Sequence, residues 1–194
     1  MAQGKRAPPP RRDVRVYHER QQLWRCGLHA TNALLKRRAY SAADFSKIAD
    51  DLMAGQRSSW FHPHRSMLGL GDYDVNVLMV ALDKYAIQTN WVSETASLEE
   101  IIRANPKMKG FLVNVPSQFG LPSFMAPANS LFGDRKHWIA VPRYYSHFHL
   151  VDSKTTPSRF EKEVDLIRYL EKVRKASGHV LYLVDKSESD QPVD

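Results

Sequence analysis

The only cysteine of the 194-residue chain, Cys26, opens the run Cys26-Gly-Leu-His-Ala-Thr-Asn-Ala-Leu-Leu-Lys36, and Gln21 stands five residues before it. The apolar spacing makes this run an amphipathic helix, which puts the thiol at a helix start. Unpaired backbone N–H groups and the positive end of the helix dipole favour an anion there, and the thiolate is the nucleophilic form of cysteine. Free cysteines are also among the most buried residues. Position alone therefore leaves a structural role open.

A thiol nucleophile needs a base, and the base needs a group to orient it. The stretch Lys136-His-Trp-Ile-Ala-Val-Pro-Arg-Tyr-Tyr-Ser-His-Phe-His-Leu-Val-Asp152 reads as two strands around a turn at Tyr144-Tyr145. With Arg143 opposite Ser146, Ile139 faces Leu150, Val141 faces Phe148 and His137 faces Asp152. Directly opposed residues have Cβ atoms about 4.5–5.5 Å apart, so the carboxylate can hold the imidazole and fix its tautomer. A one-residue slip would destroy the apolar match and the His–Asp pair together. A structural hydrogen bond at a sheet rim is the alternative for the pair taken alone. Cys26, His137 and Asp152, in that order, supply nucleophile, base and orienter, the logic of papain-type hydrolases. Gln21 stands where an amide can donate to a developing oxyanion, although a glutamine in a polar segment is commonly just solvated.

The elements that must position these groups follow from the pattern of the chain. Ser41-Ala-Ala-Asp44 is an N-cap signal before Phe45, Ile48, Ala49, Leu52 and Met53 at helical spacing. A third helix starts near Asp74 and carries Val75, Leu78, Met79, Leu82 and Tyr85 on one face. Ser97-Leu-Glu-Glu100 is a capping box for a short helix ending at Pro106. Strand-like runs follow at 110–115, 138–141, 148–151 and 180–184, with one more helix over about 161–175. Helices first and mostly strands afterwards predict an α+β domain around an antiparallel sheet. Residues 1–13 form a basic Pro-rich tail expected to be disordered, 14–186 the catalytic domain, and 187–194 a polar tail.

Composition bounds the function. A hydrophobic content of 43% supports one well-buried core. No apolar run reaches the roughly 20 residues that span a bilayer, and the N-terminus lacks a signal-peptide core, which points to a soluble, cytoplasmic protein with nuclear or membrane-surface association left open. A single cysteine excludes an internal disulfide and a cysteine-rich zinc site. The formal charge of +7 concentrates weakly in 5–12 and in Lys36-Arg-Arg38, without the interleaved aromatics of a single-strand binder, so no nucleic-acid partner is expected. His147 with His149, and His62 with His64, are close pairs lacking a third convergent ligand, so neither a metal nor a cofactor is expected. Gly69-Leu-Gly-Asp-Tyr-Asp lacks the lysine and the strand–helix context of a phosphate loop.

Five motifs carry a resemblance: Tyr17-His-Glu-Arg-Gln21, Cys26-Gly-Leu-His-Ala-Thr-Asn32, the run from His64 to Asn76, His137-Trp138, and Val151-Asp-Ser-Lys154. Over roughly residues 16–185 the chain resembles the Josephin domain, and within it the short Josephin-only cysteine deubiquitinases. The resemblance implies a papain-like fold, with a helical subdomain packed on a central antiparallel sheet and a cleft between them. It makes Cys26 the nucleophile, His137 the base, Asp152 the orienter and Gln21 the oxyanion donor of a thiol-dependent hydrolase acting at the ubiquitin C-terminus. The partners it implies are ubiquitin and ubiquitinated proteins, met by a monomer, with Val75, Asn76, Tyr85 and Trp138 as ubiquitin-contact candidates. A ubiquitin-binding module with weak or absent catalysis is the alternative. The chain carries Gly27 and Leu150 where relatives usually have Ala and Asn.

Overall fold

The computed structural model describes residues 14–21, 23, 25–53, 73–116 and 136–186. In chain order the elements are α1 (Cys26–Leu34), α2 (Ala42–Met53), α3 (Val75–Asp83), β1 (Ile87–Trp91), α4 (Leu98–Ala104), β2 (Gly110–Pro116), β3 (Lys136–Tyr144), β4 (His147–Leu150), β5 (Ser158–Arg159), α5 (Glu163–Lys175) and β6 (His179–Asp185). The strands form one antiparallel sheet in the order β1-β6-β2-β3-β4-β5. The fold is α+β, as the sequence pattern predicts.

Helices cover both faces of this sheet. On one face α1, α2 and α3 bury Phe45, Leu78 and Leu82 against Leu112, Trp138, Ala140 and Leu181. On the other, α4 and α5 bury Ile102, Leu166, Leu170 and Val173 against Phe111, Val113, Ile139 and Val141. A strand enclosed on both sides reads as a continuous apolar run, and β2 is buried from Gly110 through Val115. Each fully buried Leu, Phe or Val contributes about 1.5–3 kcal/mol relative to exposure. Gly110 is required at the head of β2: its φ is +147°, and a Cβ there would lie 2.2 Å from the Val141 carbonyl oxygen of β3.

Local signals set the helix ends. The Ser41 hydroxyl accepts from the Asp44 N–H at 3.3 Å, while the Asp44 carboxylate accepts from the Ser41 N–H at 2.7 Å. The Asp74 side chain caps α3 by accepting from the N–H groups of Asn76 and Val77, and Ser97 caps α4 through the Glu100 N–H.

Two expectations need correction, and one strand is an addition to the sequence pattern. The strand β1 was not anticipated: Ile87-Gln-Thr-Asn-Trp91 has an edge position and only Ile87 buried, so it lacks a clear apolar run. Helix α3 stops at Asp83, leaving Tyr85 in the turn beyond it rather than on its face. The hairpin turn lies at Tyr145-Ser146, with Tyr145 at φ 54°, and pairs Arg143 with Phe148 and Tyr144 with His147. The Ala140–Val151 bridge continues the same register. The pairing is thus displaced by two residues from one that sets His137 opposite Asp152. Tails 1–13 and 187–194, the pair His62 and His64, and Gly69 to Asp72 lie outside the described residues.

Candidate active site

Cys26 is the first residue of α1 and is 5% exposed. The N-cap residue, Arg25, makes no side-chain cap hydrogen bond to this helix. Among the described residues no side chain is recorded on its first-turn N–H groups, which suit an anion. Gly27 lets the helix start approach the sheet closely: a Cβ there would lie 3.0 Å from Leu78 Cδ1 and 3.4 Å from Trp138 Cδ1.

His137 sits at the start of β3 and Asp152 just after β4. Their side chains are 7% and 15% exposed, and His137 Nε2 lies 2.7 Å from Asp152 Oδ1. The register correction moves the pair from directly opposite to diagonal. A displacement of two residues keeps both side chains on the same sheet face, and long side chains reach diagonal neighbours. Burial disfavours the imidazolium, but the hydrogen bond to Asp152, the contact with the Cys26 thiol and the charges of both offset it, so the His137 pKa is raised. Burial also opposes the Asp152 carboxylate; its bond and attraction to His137 and the Lys154 N–H outweigh that, and its pKa is lowered. An ionised carboxylate only accepts, so Nε2 carries the proton towards Asp152 and Nδ1 is the ring nitrogen outside this bond.

The extended segment before α1 is tied to the other side of this pair. The Gln21 N–H donates to the Ser153 carbonyl at 2.8 Å, and the Ser153 hydroxyl donates to Gln21 Oε1 at 3.0 Å. His18 Nε2 lies 3.0 Å from the Asp152 carbonyl oxygen. Gln21 Nε2 donates to the Leu23 carbonyl at 2.7 Å, across a turn in which Leu23 has φ 58°. One hydrogen of the Gln21 amide is thereby committed, and among the described residues the second has no recorded partner.

The sequence of this domain matches the Josephin family model over residues 21–184. It is 32% identical to human Josephin-2 across 96% of this chain and 93% of that protein. A Josephin-like protein of Drosophila melanogaster is 31% identical across 90% of the chain and 76% of its own length, and one of Arabidopsis thaliana is 26% identical across 80% and 43%. The chain belongs to the Josephin family. Its fold is accordingly papain-like, and the family is of the cysteine-protease, deubiquitinase type.

In this Josephin domain the candidate ubiquitin contacts do not form one patch. Val75 is half-buried against the helical core and Asn76 is exposed, both in the first turn of α3. Tyr85, 37% exposed, lies beyond the opposite end of that helix with its ring edge-on to Tyr40. Trp138 is only 6% exposed and lies against the helix start that carries Cys26. Among the described residues no three His, Cys, Asp or Glu side chains converge on a metal position, and no helix is long and apolar enough to cross a membrane.

Sequence reasoning passed over the groups that hold Tyr17 to Gln21 in place. The Glu19 carboxylate meets His29 Nδ1 at 2.7 Å, the Asn32 amide at 3.3 Å and the Tyr17 hydroxyl. Burial raises the Glu19 pKa, but these bonds outweigh it and the net shift is downward. Asn32, fully buried, also accepts from the N–H groups of Ala39 and Tyr40 and donates to the Tyr40 carbonyl. The available signal is polar His29 and Asn32 one turn apart in helix α1, with an acid just upstream.

Proposed function

We propose that this chain is a cysteine-dependent deubiquitinase that hydrolyses peptide or isopeptide bonds at the ubiquitin C-terminus. The observation that carries the proposal is a buried imidazole, His137, held at 2.7 Å by the half-buried Asp152 carboxylate, with the Cys26 thiol among the groups that raise its pKa. In this reading His137 takes the proton of Cys26 and the thiolate attacks the terminal glycine carbonyl. The Gln21 amide and the helix-start N–H groups meet the oxyanion. His137 then returns the proton to the departing lysine amine, leaving a thioester. Water, activated by His137, attacks the thioester, freeing the ubiquitin carboxylate and the thiol. Asp152 keeps the tautomer and stabilises the imidazolium without taking its proton.

The deep burial of Cys26 favours a second reading, a ubiquitin-binding module with weak catalysis. A ubiquitin bearing a C-terminal electrophile separates the two. Labelling of the full chain at Cys26, abolished in a folded Cys26→Ala variant together with cleavage of a ubiquitin conjugate, supports the enzyme. Normal cleavage by that variant would refute it. Ubiquitin binding without labelling would assign the module.

A further inference from the structure

The basic run at the end of α1 is exposed, and its last member also lines a concavity. Arg38 joins Arg20 and Arg25 in lining a cavity of about 320 Å³ whose wall includes Glu19 and His29. Among the described residues no carboxylate forms an ion pair with any of these three arginines. Arg25 Nε is moreover buried without a hydrogen-bond partner. Glu19, the one acid among the described residues of the wall, is committed to Tyr17, His29 and Asn32 and is held in its ionised form by them. Among the described lining residues, three guanidiniums against one carboxylate carry a net charge of +2. Among the described lining residues the guanidinium donors therefore outnumber the carboxylates that could pair with them. A buried unsatisfied N–H on a charged group is costly unless a ligand meets it.

We propose that this cavity is a phosphoryl-binding site, filled by free phosphate or by a phosphorylated side chain. A phosphoryl group carries about −1.5 to −2 charge near neutrality, which matches the uncompensated charge, and its oxygens suit the fork of a guanidinium. A carboxylate would leave one guanidinium charge unbalanced. Because Arg20 adjoins Gln21 and Arg25 adjoins Cys26, the occupant braces the chain on both sides of the turn between them.

The test uses the full chain with inorganic phosphate as the probe, read by isothermal titration and by thermal melting at constant ionic strength. Saturable one-site binding and a raised Tm are expected. Arg38→Gln and Arg25→Gln should each weaken binding on the order of ten- to a hundred-fold, the usual loss of a charge-assisted bond. Lys136→Gln, at the start of β3 where the lysine meets His179 of β6, should leave it unchanged. A response no greater than that to chloride at equal ionic strength would overturn the site, as would equal weakening by Lys136→Gln, because screening does not discriminate among exposed charges. Should Arg25→Gln fail to fold, the exposed Arg20→Gln carries the same expectation as Arg38→Gln. A phosphoserine peptide that binds more tightly than phosphate, with the same arginine dependence, identifies a phosphoprotein as the source; one that binds no better than phosphate identifies the free ion. None of these readouts depends on catalysis.

Discussion

Substituting Asp152 by Asn removes the charge from the 2.7 Å contact with His137 while keeping an acceptor oxygen at the same place. A hydrogen bond to a charged partner is worth about 1.5–3 kcal/mol and a neutral one about 0.5–1.5, so the substitution should cost about 1–2 kcal/mol. At about 2–4 °C per kcal/mol for a domain of this size, Tm should fall by about 2–8 °C. The loss must depend on pH. The Asp152 pKa is lowered on folding, so its contribution is fully present above the unfolded value of about 4 and disappears as pH falls through the folded value. The His137 pKa is raised, so its contribution is fully present below about 6.5 and disappears as pH rises through the folded value. Both contributions coexist between about pH 4 and 6.5, where the gap between wild type and Asp152→Asn should be widest. Melts of both proteins across the pH range measure it directly. A gap independent of pH, or absent near pH 5.5, would refute the charged pair. Deubiquitinating turnover should also drop at least about tenfold, yet by less than in His137→Ala, because the asparagine can still accept a bond from the ring.

Gln21→Ala should lower kcat on the order of 10²- to 10³-fold with little change in ubiquitin Kd, the signature of a lost oxyanion donor; unchanged kcat in a stable variant would remove Gln21 from the site. Glu19→Gln should destabilise the fold by about 1–3 kcal/mol, since a charged acceptor of three side chains becomes a neutral one. The wild type's advantage over it should vanish in melts taken as pH falls through the lowered Glu19 pKa. For Gly27→Ala the gain of about 1 kcal/mol in helix propensity opposes a Cβ placed 3.0 Å from the movable tip of Leu78. The net change in denaturant stability should stay within about 1 kcal/mol; a larger loss would show that Leu78 and Trp138 cannot yield.

Elements whose burial follows a simple period were legible in the sequence. Helix α2, with Phe45, Ile48 and Ala49 on one face, is such a case, and so is the doubly covered strand β2. Strand β1 was not legible because its exposed residues are not sorted by face; its backbone pairing with β6, a partner about ninety residues away, holds it in the sheet. Tyr85 was misassigned because an aromatic at helical spacing does not reveal that the chain has already turned, as Ala86 at φ 54° shows. The arginine-lined cavity was illegible for a similar reason: Arg20, Arg25 and Arg38 share no period and meet only when the segment before α1 folds back across it.

The His–Asp contact persists despite the displaced hairpin register, and the reason bears on how such a site is held. Strand side chains alternate with a period of two, so parity is fixed by which face is buried, whereas the position along the strand is fixed by the turn. Burial of Ile139, Val141 and Phe148 sets the parity, and the positive φ of Tyr145 sets the turn. Parity alone would still admit several diagonal partners for His137. The segment before α1 narrows that choice: His18 and Gln21 grip the Asp152 and Ser153 carbonyls, while Glu19 is anchored to His29 and Asn32 on the helix that begins with Cys26. One extended stretch of five residues thus links the thiol-bearing helix to the carboxylate-bearing turn, and the distance between the two ends of the candidate triad is set by that link rather than by the sheet register alone.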